Sequence, residues 1–305
     1  MPDAPVIETA ELCKTYGRVR ALRGLTLAAH RGRITGFLGR NGAGKTTAIK
    51  TFMGMVRPTG GDVRVFGLDA ADPRASVEIR RRTGLVGEEK ELDGQMRVGQ
   101  VLAFTRAFYP AWRADLETRY LDRFALPADR RIKALSHGAR TKLVLLLALC
   151  RGAELLVLDE PTSALDPEAA EVVLQAIVGQ VAEDGLSVFF SSHQLSDVEQ
   201  IADDVVIVDH GRAAAAGPLD ELQQSFRRLR LVFEGDAPPA ALTSPGVLRA
   251  SVSGRVLEIV ARLYPDAAPN DDPVLREVRA LSPASIDVTA MTLKEIFLET
   301  VRTEA

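Results

Sequence analysis

Residues Gly39 to Thr46 read G-R-N-G-A-G-K-T, and Thr47 follows. The spacing G-x-x-x-x-G-K-[ST] is that of a phosphate-cradling loop. Gly39, Gly42 and Gly44 let the backbone take positive φ angles that a Cβ opposes. Curled that way, successive N–H groups point inward as an anion nest. Lys45 brings a full positive charge to the β- and γ-phosphates, and Thr46 offers a hydroxyl to Mg²⁺. The flanks agree. Arg33-Ile-Thr-Gly-Phe-Leu38 is a short apolar run, read as a buried strand, and Thr47-Ala-Ile-Lys-Thr-Phe-Met53 is spaced like a helix. The loop thus opens a helix whose N-terminal dipole favours anions. A glycine-rich turn with no ligand is the alternative, and the match at every fixed position weighs against it.

Composition sets the bounds. The chain has 305 residues, 46% hydrophobic and 26% charged, which leaves room for one large domain and a small one. A net charge of −3 gives no electrostatic footprint for nucleic acid. Met1 to Glu8 lacks the basic region and apolar run of a secretory signal. The longest apolar run, Leu143 to Cys150, falls short of the ~18 residues of a membrane span. Cys13 and Cys150 make no disulfide framework, and Cys150 closes an apolar helix as core packing. The expected compartment is the cytosol.

Val6–Leu12 and Leu25–Ala29 read as antiparallel strands around a turn near Gly17 and Gly24. Tyr16, just before Gly17, either stacks on a nucleobase or packs at a strand end. Asp72–Arg82 reads as a capped helix and Thr83–Gly87 as a short strand, followed by the acidic cluster Glu88 to Asp93. Val98–Phe124 has helical spacing broken at Pro110. Ser136, at the start of the apolar helix 141–149, is a cap that can also donate to a phosphate.

Leu155-Leu-Val-Leu158 runs into Asp159 and Glu160, as a buried parallel strand does when it delivers carboxylates to the ligand edge of an open α/β sheet. Asp159 suits the Mg²⁺ shell, and Glu160 could polarise an attacking water. Two acids capping the next helix is the plainer alternative. Ser187–His193 is a second such strand, which places His193 within reach of a terminal phosphate; a structural or surface histidine is the competing reading. From about Gln223 the texture changes. Arg228–Phe233 and Arg255–Val260 alternate as half-exposed strands, Ala237–Pro239, Ser244–Gly246 and Pro265–Pro273 read as turns or linkers, and Thr292–Val301 is a closing amphipathic helix.

Taken in order, these patterns resemble the ATP-binding subunit of an ABC transporter over roughly residues 5 to 220. The resemblance implies an α/β fold. It has a P-loop NTPase core, an antiparallel β subdomain and a helical signature subdomain at about 89–150, plus a small α+β C-terminal extension. The implied domains are 5–222 and 223–305. It implies ATP and Mg²⁺ as cofactors. Gly39, Arg40, Asn41, Gly42, Ala43, Gly44, Lys45, Thr46 and Thr47 would hold the phosphates, and Tyr16 would stack on the base. Thr46, Asp159 and Glu88 would stand at the metal, with Glu160 as general base and His193 as switch histidine. Lys45 would join these two in stabilising the reacting phosphate. Ser163-Ala-Leu-Asp166 matches the family's D-loop. Leu135-Ser136-His137-Gly138-Ala139 stands where the family signature is L-S-G-G-Q, and keeps Ser136 and Gly138 for the ATP of an opposite subunit. His137 adds bulk, Ala139 loses a polar contact, and Glu88 stands where the family has Gln. The implied partners are a second ATP-binding subunit and a separate integral membrane permease, contacted through Glu88–Arg97, with no nucleic acid. The implied place is the cytoplasmic face of the membrane and the implied direction export. A soluble ABC ATPase of translation or repair is the first competitor, but one motif set and 91 positions between Lys45 and Ser136 leave no tandem cassette or long coiled coil. A non-hydrolysing nucleotide sensor is the second, and retention of Glu160 and His193 argues against it.

Overall fold

A computed structural model describes residues 4–87, 92–163, 165–239, 242–264 and 272–301. Glu88 and Ala164 lie outside them. The chain divides into two compact units, Met1–Ala213 and Ala214–Ala305.

The first unit opens with β1 (Pro5–Tyr16) and β2 (Val19–His30). Their antiparallel ladder runs from Pro5 opposite His30 to Tyr16 opposite Val19, so the hairpin is longer than the apolar runs suggest. It turns at Gly17, with φ +56°, and Gly24 is not part of the turn. Gly24 lies inside β2, where a Cβ would come within 2.6 Å of Glu11 Oε2. The ladder is irregular between Thr9 and Leu12, and Glu11 itself takes φ +48°. A glycine opposite a bulge mimics a turn signal in the sequence.

Then follow β3 (Ile34–Leu38), α1 (Lys45–Phe52), β4 (Gly60–Val65), β5 (Leu68–Asp69), α2 (Pro73–Arg82) and β6 (Thr83–Val86). Next come α3 (Val98–Arg106), α4 (Ala114–Arg123), α5 (His137–Leu149), β7 (Leu155–Asp159) and α6 (Pro167–Asp184). The unit ends with β8 (Ser187–Ser192), α7 (Leu195–Ile201), β9 (Asp204–Asp209) and the start of β10 (Arg212–Pro218), through which the chain passes on. One sheet has the order β2-β1-β4-β5; the other runs β10-β9-β3-β8-β7-β6. In the second sheet β8 lies between β3 and β7 and is parallel to both, so three carboxyl ends stand side by side. Every residue of β3, β7 and β8 is buried, as strands covered on both faces require. Phe189 packs its ring 5.2 Å from Phe37 and 5.5 Å from Phe52, tying β8 to β3 and α1.

The second unit holds α8 (Leu219–Ser225), β11 (Phe226–Val232), β12 (Val247–Ser253), β13 (Val256–Arg262), α9 (Pro273–Ala280), β14 (Ser285–Ala290) and α10 (Leu293–Thr300). Its sheet runs β12-β13-β11-β14, antiparallel throughout. Leu229, Leu231, Leu257, Ile259 and Ala261 meet Val274 and Val278 of α9 in one core. The alternating runs expected at 228–233 and 255–260 are β11 and β13; β14 also alternates, as Ser285-Ile-Asp-Val-Thr-Ala290, and is not anticipated, nor are β12 and α9.

Candidate active site

The carboxyl ends of β3, β8 and β7 open into a cleft of about 530 Å³. The phosphate loop forms its floor. Gly44 stands before α1 with φ +106° and no side chain caps the helix, so the first-turn N–H groups have no intrahelical acceptor. A Cβ on Gly39 would lie 2.6 Å from Val208 Cγ1, and one on Gly44 2.6 Å from the Ala21 carbonyl oxygen. Gly42, with φ +84°, faces open space. The loop is therefore held tight from behind and free in front. Its rear support is the turn between β9 and β10. The Gly211 N–H donates to the Ala43 carbonyl (3.0 Å), and the Gly211 carbonyl accepts from the Arg23 N–H (2.9 Å).

Lys45 is buried, donates from Nζ to the Gly39 carbonyl (2.8 Å) and lies 3.2 Å from Glu160 Oε1. The other carboxylate oxygen of Glu160 is 2.7 Å from His193 Nδ1. Glu160 is thus bracketed by a cation and an imidazole. Its backbone takes φ +53°, a conformation that costs a side-chain-bearing residue about 1–3 kcal/mol. The Glu160 N–H donates to Ser191 Oγ at 3.1 Å and to the Ser191 carbonyl at 3.2 Å. Ser191 Oγ in turn donates to Asp159 Oδ1 at 2.6 Å. Ser191 therefore orients both acids, a role the sequence reading missed. The signal was there, since a run of serines closes an otherwise apolar buried strand.

Lys45, Thr46, Thr47, Arg40, Asn41, Gly42, Gly44, Asp159, Glu160, Ser163 and His193 all line this one cleft. So do Val19, Arg20, Ala21 and Arg23 of β2 and His210, none of which the motifs single out. Gly39 and Ala43 belong to the loop but do not line the cleft; Gly39 is backed by Val208 and Ala43 is buried. Tyr16 does not line the cleft. It ends β1 opposite Val19, 45% exposed, with Lys14 Nζ 4.9 Å from its ring centroid. Ser136, Gly138 and Asp166 do not line it either. Ser136 caps α5 by accepting from the Ala139 N–H at 3.2 Å, Gly138 lies in that helix's first turn, and Asp166 caps α6 by accepting from the Ala169 N–H at 2.8 Å.

Thr46 and Asp159 bring oxygen donors to the cleft. Among the described residues no group of three or more His, Cys, Asp or Glu side chains could hold a metal. That donor set fits Mg²⁺, which takes one or two carboxylates and completes its shell with phosphate oxygens and water.

The ABC transporter family model matches residues 22–163. The chain is 36% identical over 234 residues to the daunorubicin/doxorubicin resistance ATP-binding protein DrrA of Streptomyces peucetius, covering 74% of this chain and 70% of that one. It is 32% identical to the bacitracin transport ATP-binding protein BcrA of Bacillus licheniformis, covering 73% of each. With the daunorubicin resistance ATP-binding protein DrrA3 of Streptomyces coeruleorubidus it shares 33% identity over 303 residues, 93% of this chain and 92% of the relative. A solved ATP-binding subunit of an ABC transporter superposes with a TM-score of 0.65 at 28% identity, over 72% of this chain and 92% of the other. No helix among the described residues is long and apolar enough to cross a membrane. With a glycine-curled phosphate loop facing two serine-held acids and these degrees of identity, the chain belongs to the ATP-hydrolysing, ATP-binding subunit family of ABC transporters.

Proposed function

We propose that the chain binds and hydrolyses ATP to drive a separate membrane permease, and that it works as an exporter subunit at the cytoplasmic face of the membrane. The observation that carries the catalytic part is the Glu160 carboxylate fixed between Lys45 and His193 at the front of the phosphate loop. The loop amides and Lys45 hold the phosphates and stabilise the charge that develops on them, the dominant contribution in phosphoryl transfer. Glu160 accepts the proton of the water whose oxygen attacks the γ-phosphorus while the bond to the β-phosphate oxygen breaks. His193 holds Glu160 in place and reaches the terminal phosphate. Mg²⁺, held by Thr46 and Asp159, would neutralise phosphate charge, and Glu88 would add a carboxylate beside it. Tyr16 and its strand neighbour Val19 offer the base a stacking surface.

Ser136 and Gly138 lie on α5, away from this cleft, and Asp166 heads α6. We assign the first two to the ATP of a second copy, so that each site is finished by the opposite subunit, with Asp166 beside that junction. The permease would be contacted through Glu88–Arg97, of which residues 88–91 lie outside the described residues. A groove of about 500 Å³ lined by Met53, Met55, Val77, Phe108 and Tyr109 together with Arg80, Arg81 and Arg151 is a second surface open to it. Phe104 and Phe108, 61% and 64% exposed with ring centroids 5.1 Å apart, offer an aromatic pair for such a contact. Export rests on relatives whose names speak of drug resistance, bacitracin transport and Nod factor export.

Glu160→Gln tests the reading. Steady-state ATP hydrolysis should fall by about 10²- to 10⁴-fold, while ATP still drives dimerisation in light scattering. Hydrolysis at the wild-type rate would remove Glu160 from the role.

A further inference from the structure

The second unit has two sheet edges, and they differ. The β12 edge carries Arg249, ion-paired to Glu299 at 3.0 Å, and its register shifts between Val247 and Arg249. A charge and a bulge are the devices that protect an edge from unintended pairing. The β14 edge has no register shift against β11 and, among the described residues, no ion pair on it. Its six residues, Ser-Ile-Asp-Val-Thr-Ala, pair with β11 in an unbroken register and are all exposed. It has no proline, no lysine and one charge, Asp287, which stands opposite Arg230.

The free edge has a definite polarity. The Phe233 N–H donates to the Arg255 carbonyl, so the odd-numbered residues of β11 turn their backbone groups toward β13 and the even-numbered ones toward β14. Val232, Arg230 and Arg228 face Ser285, Asp287 and Thr289. The N–H and C=O groups of Ile286, Val288 and Ala290 therefore point outward along the free edge. The side chains of Ile286 and Val288 share the core face with Leu231 and Leu229 opposite them, and yet they are 38% and 44% exposed.

We infer that β14 is a contact strand through which two copies of this chain pair antiparallel, with Val288 opposite Val288 of the second copy. The sequence is self-complementary in that register. Ile286 meets Ala290, Val288 meets itself, and all the outward-facing backbone groups fall in hydrogen-bonded pairs. Asp287 meets Thr289, a donor for its carboxylate. The neighbouring register that also keeps the apolar face together would set Asp287 against Asp287, a like-charge pair that antiparallel sheets disfavour. This contact lies outside the nucleotide cleft and needs no ATP, so its failure would leave the proposed hydrolysis untouched.

The test uses the full chain without nucleotide. In the pairing proposed, the two Val288 Cα atoms stand about 5.5 Å apart, within disulfide reach. The two Asp287 Cα atoms stand about 8 Å apart, beyond it. Under mild oxidation Val288→Cys should give a disulfide-linked dimer on a non-reducing gel, whereas Asp287→Cys and the wild-type chain should not. Val288→Pro removes only an outward N–H, which an edge strand tolerates. It should weaken self-association in light scattering by about tenfold or more, with ATP hydrolysis unchanged as the check on folding. No dimer from Val288→Cys, equal cross-linking from Asp287→Cys, or undiminished association of Val288→Pro would each overturn the pairing. So would cross-linking only to another protein once membranes are added, which would make the edge a site for a different chain.

Discussion

The two units use a β-sheet in opposite ways. In the first, β3, β7 and β8 are buried from end to end, and their carboxyl termini deliver Gly39, Glu160 and His193. In the second, the central strands are buried on one side of the sheet while β14 is exposed along its whole length. A parallel sheet packed on both faces cannot shift one strand without disrupting close packing above and below. Groups mounted on its strand ends therefore keep their spacing, which chemistry needs. An antiparallel sheet with an open edge keeps backbone donors and acceptors available, which suits contact rather than catalysis.

The strongest way to break this comparison is to hollow out the first sheet. Phe189→Ala removes a fully buried ring that touches both Phe37 and Phe52. It should cost about 3–5 kcal/mol, read as an early thermal transition that takes ATP binding with it. The matching change in the second unit, Leu231→Ala, should cost about 2–5 kcal/mol. Calorimetry should place that loss in a transition that leaves hydrolysis intact at temperatures below it; coincident loss of hydrolysis would mean the units do not melt separately. Lys45→Ala comes next. It removes a charged contact to phosphate and should weaken ATP binding by about 10- to 100-fold in a fluorescent-nucleotide titration, with little change in melting. Wild-type affinity would refute the role of Lys45.

The smallest effect belongs to Glu277 in the second unit. Ser244 and Thr243 donate to its carboxylate and hold it at about 2, below its ordinary 4.5. A carboxyl depressed by folding stabilises the fold above its unfolded value, and that contribution disappears as pH falls through the folded one. Glu277→Gln should therefore melt slightly below wild type above pH 4.5, and the gap should close as the pH falls from 4.5 to about 2. A gap that persisted at pH 2 would contradict the carboxylate's role.

Legibility in the sequence followed the same division. The phosphate loop, Asp159, Glu160 and His193 could be read because each sits at or just past the end of a short, mostly apolar run that forms a fully buried strand. Ser191 was harder, since its partners Asp159 and Glu160 are distant in sequence and only the pairing of β7 with β8 joins them. Val19, Arg20, Arg23 and His210 reach the cleft through tertiary placement of a hairpin and a turn, which no spacing encodes. The longer reach of β1 to Tyr16 was hidden by its charged and polar residues. In the second unit β14 escaped notice although Ser285–Ala290 alternates, because the run is short and Ile286 and Val288 are its only large apolar residues. The start of α9 hides behind the proline-rich run before it, where Asp272 caps the helix and Pro273 occupies its first turn.

Gly211 joins three parts of the first unit at a single residue: it binds the loop through Ala43, the hairpin through Arg23, and is itself the link from β9 to β10. A Cβ there would collide with the Ala21 carbonyl oxygen at 2.5 Å, so no other residue fits without displacing the hairpin. The rate at which its amide proton trades with deuterium thus becomes a built-in gauge. Any ligand that tightens the loop must slow that exchange, and any lesion that frees the hairpin must quicken it.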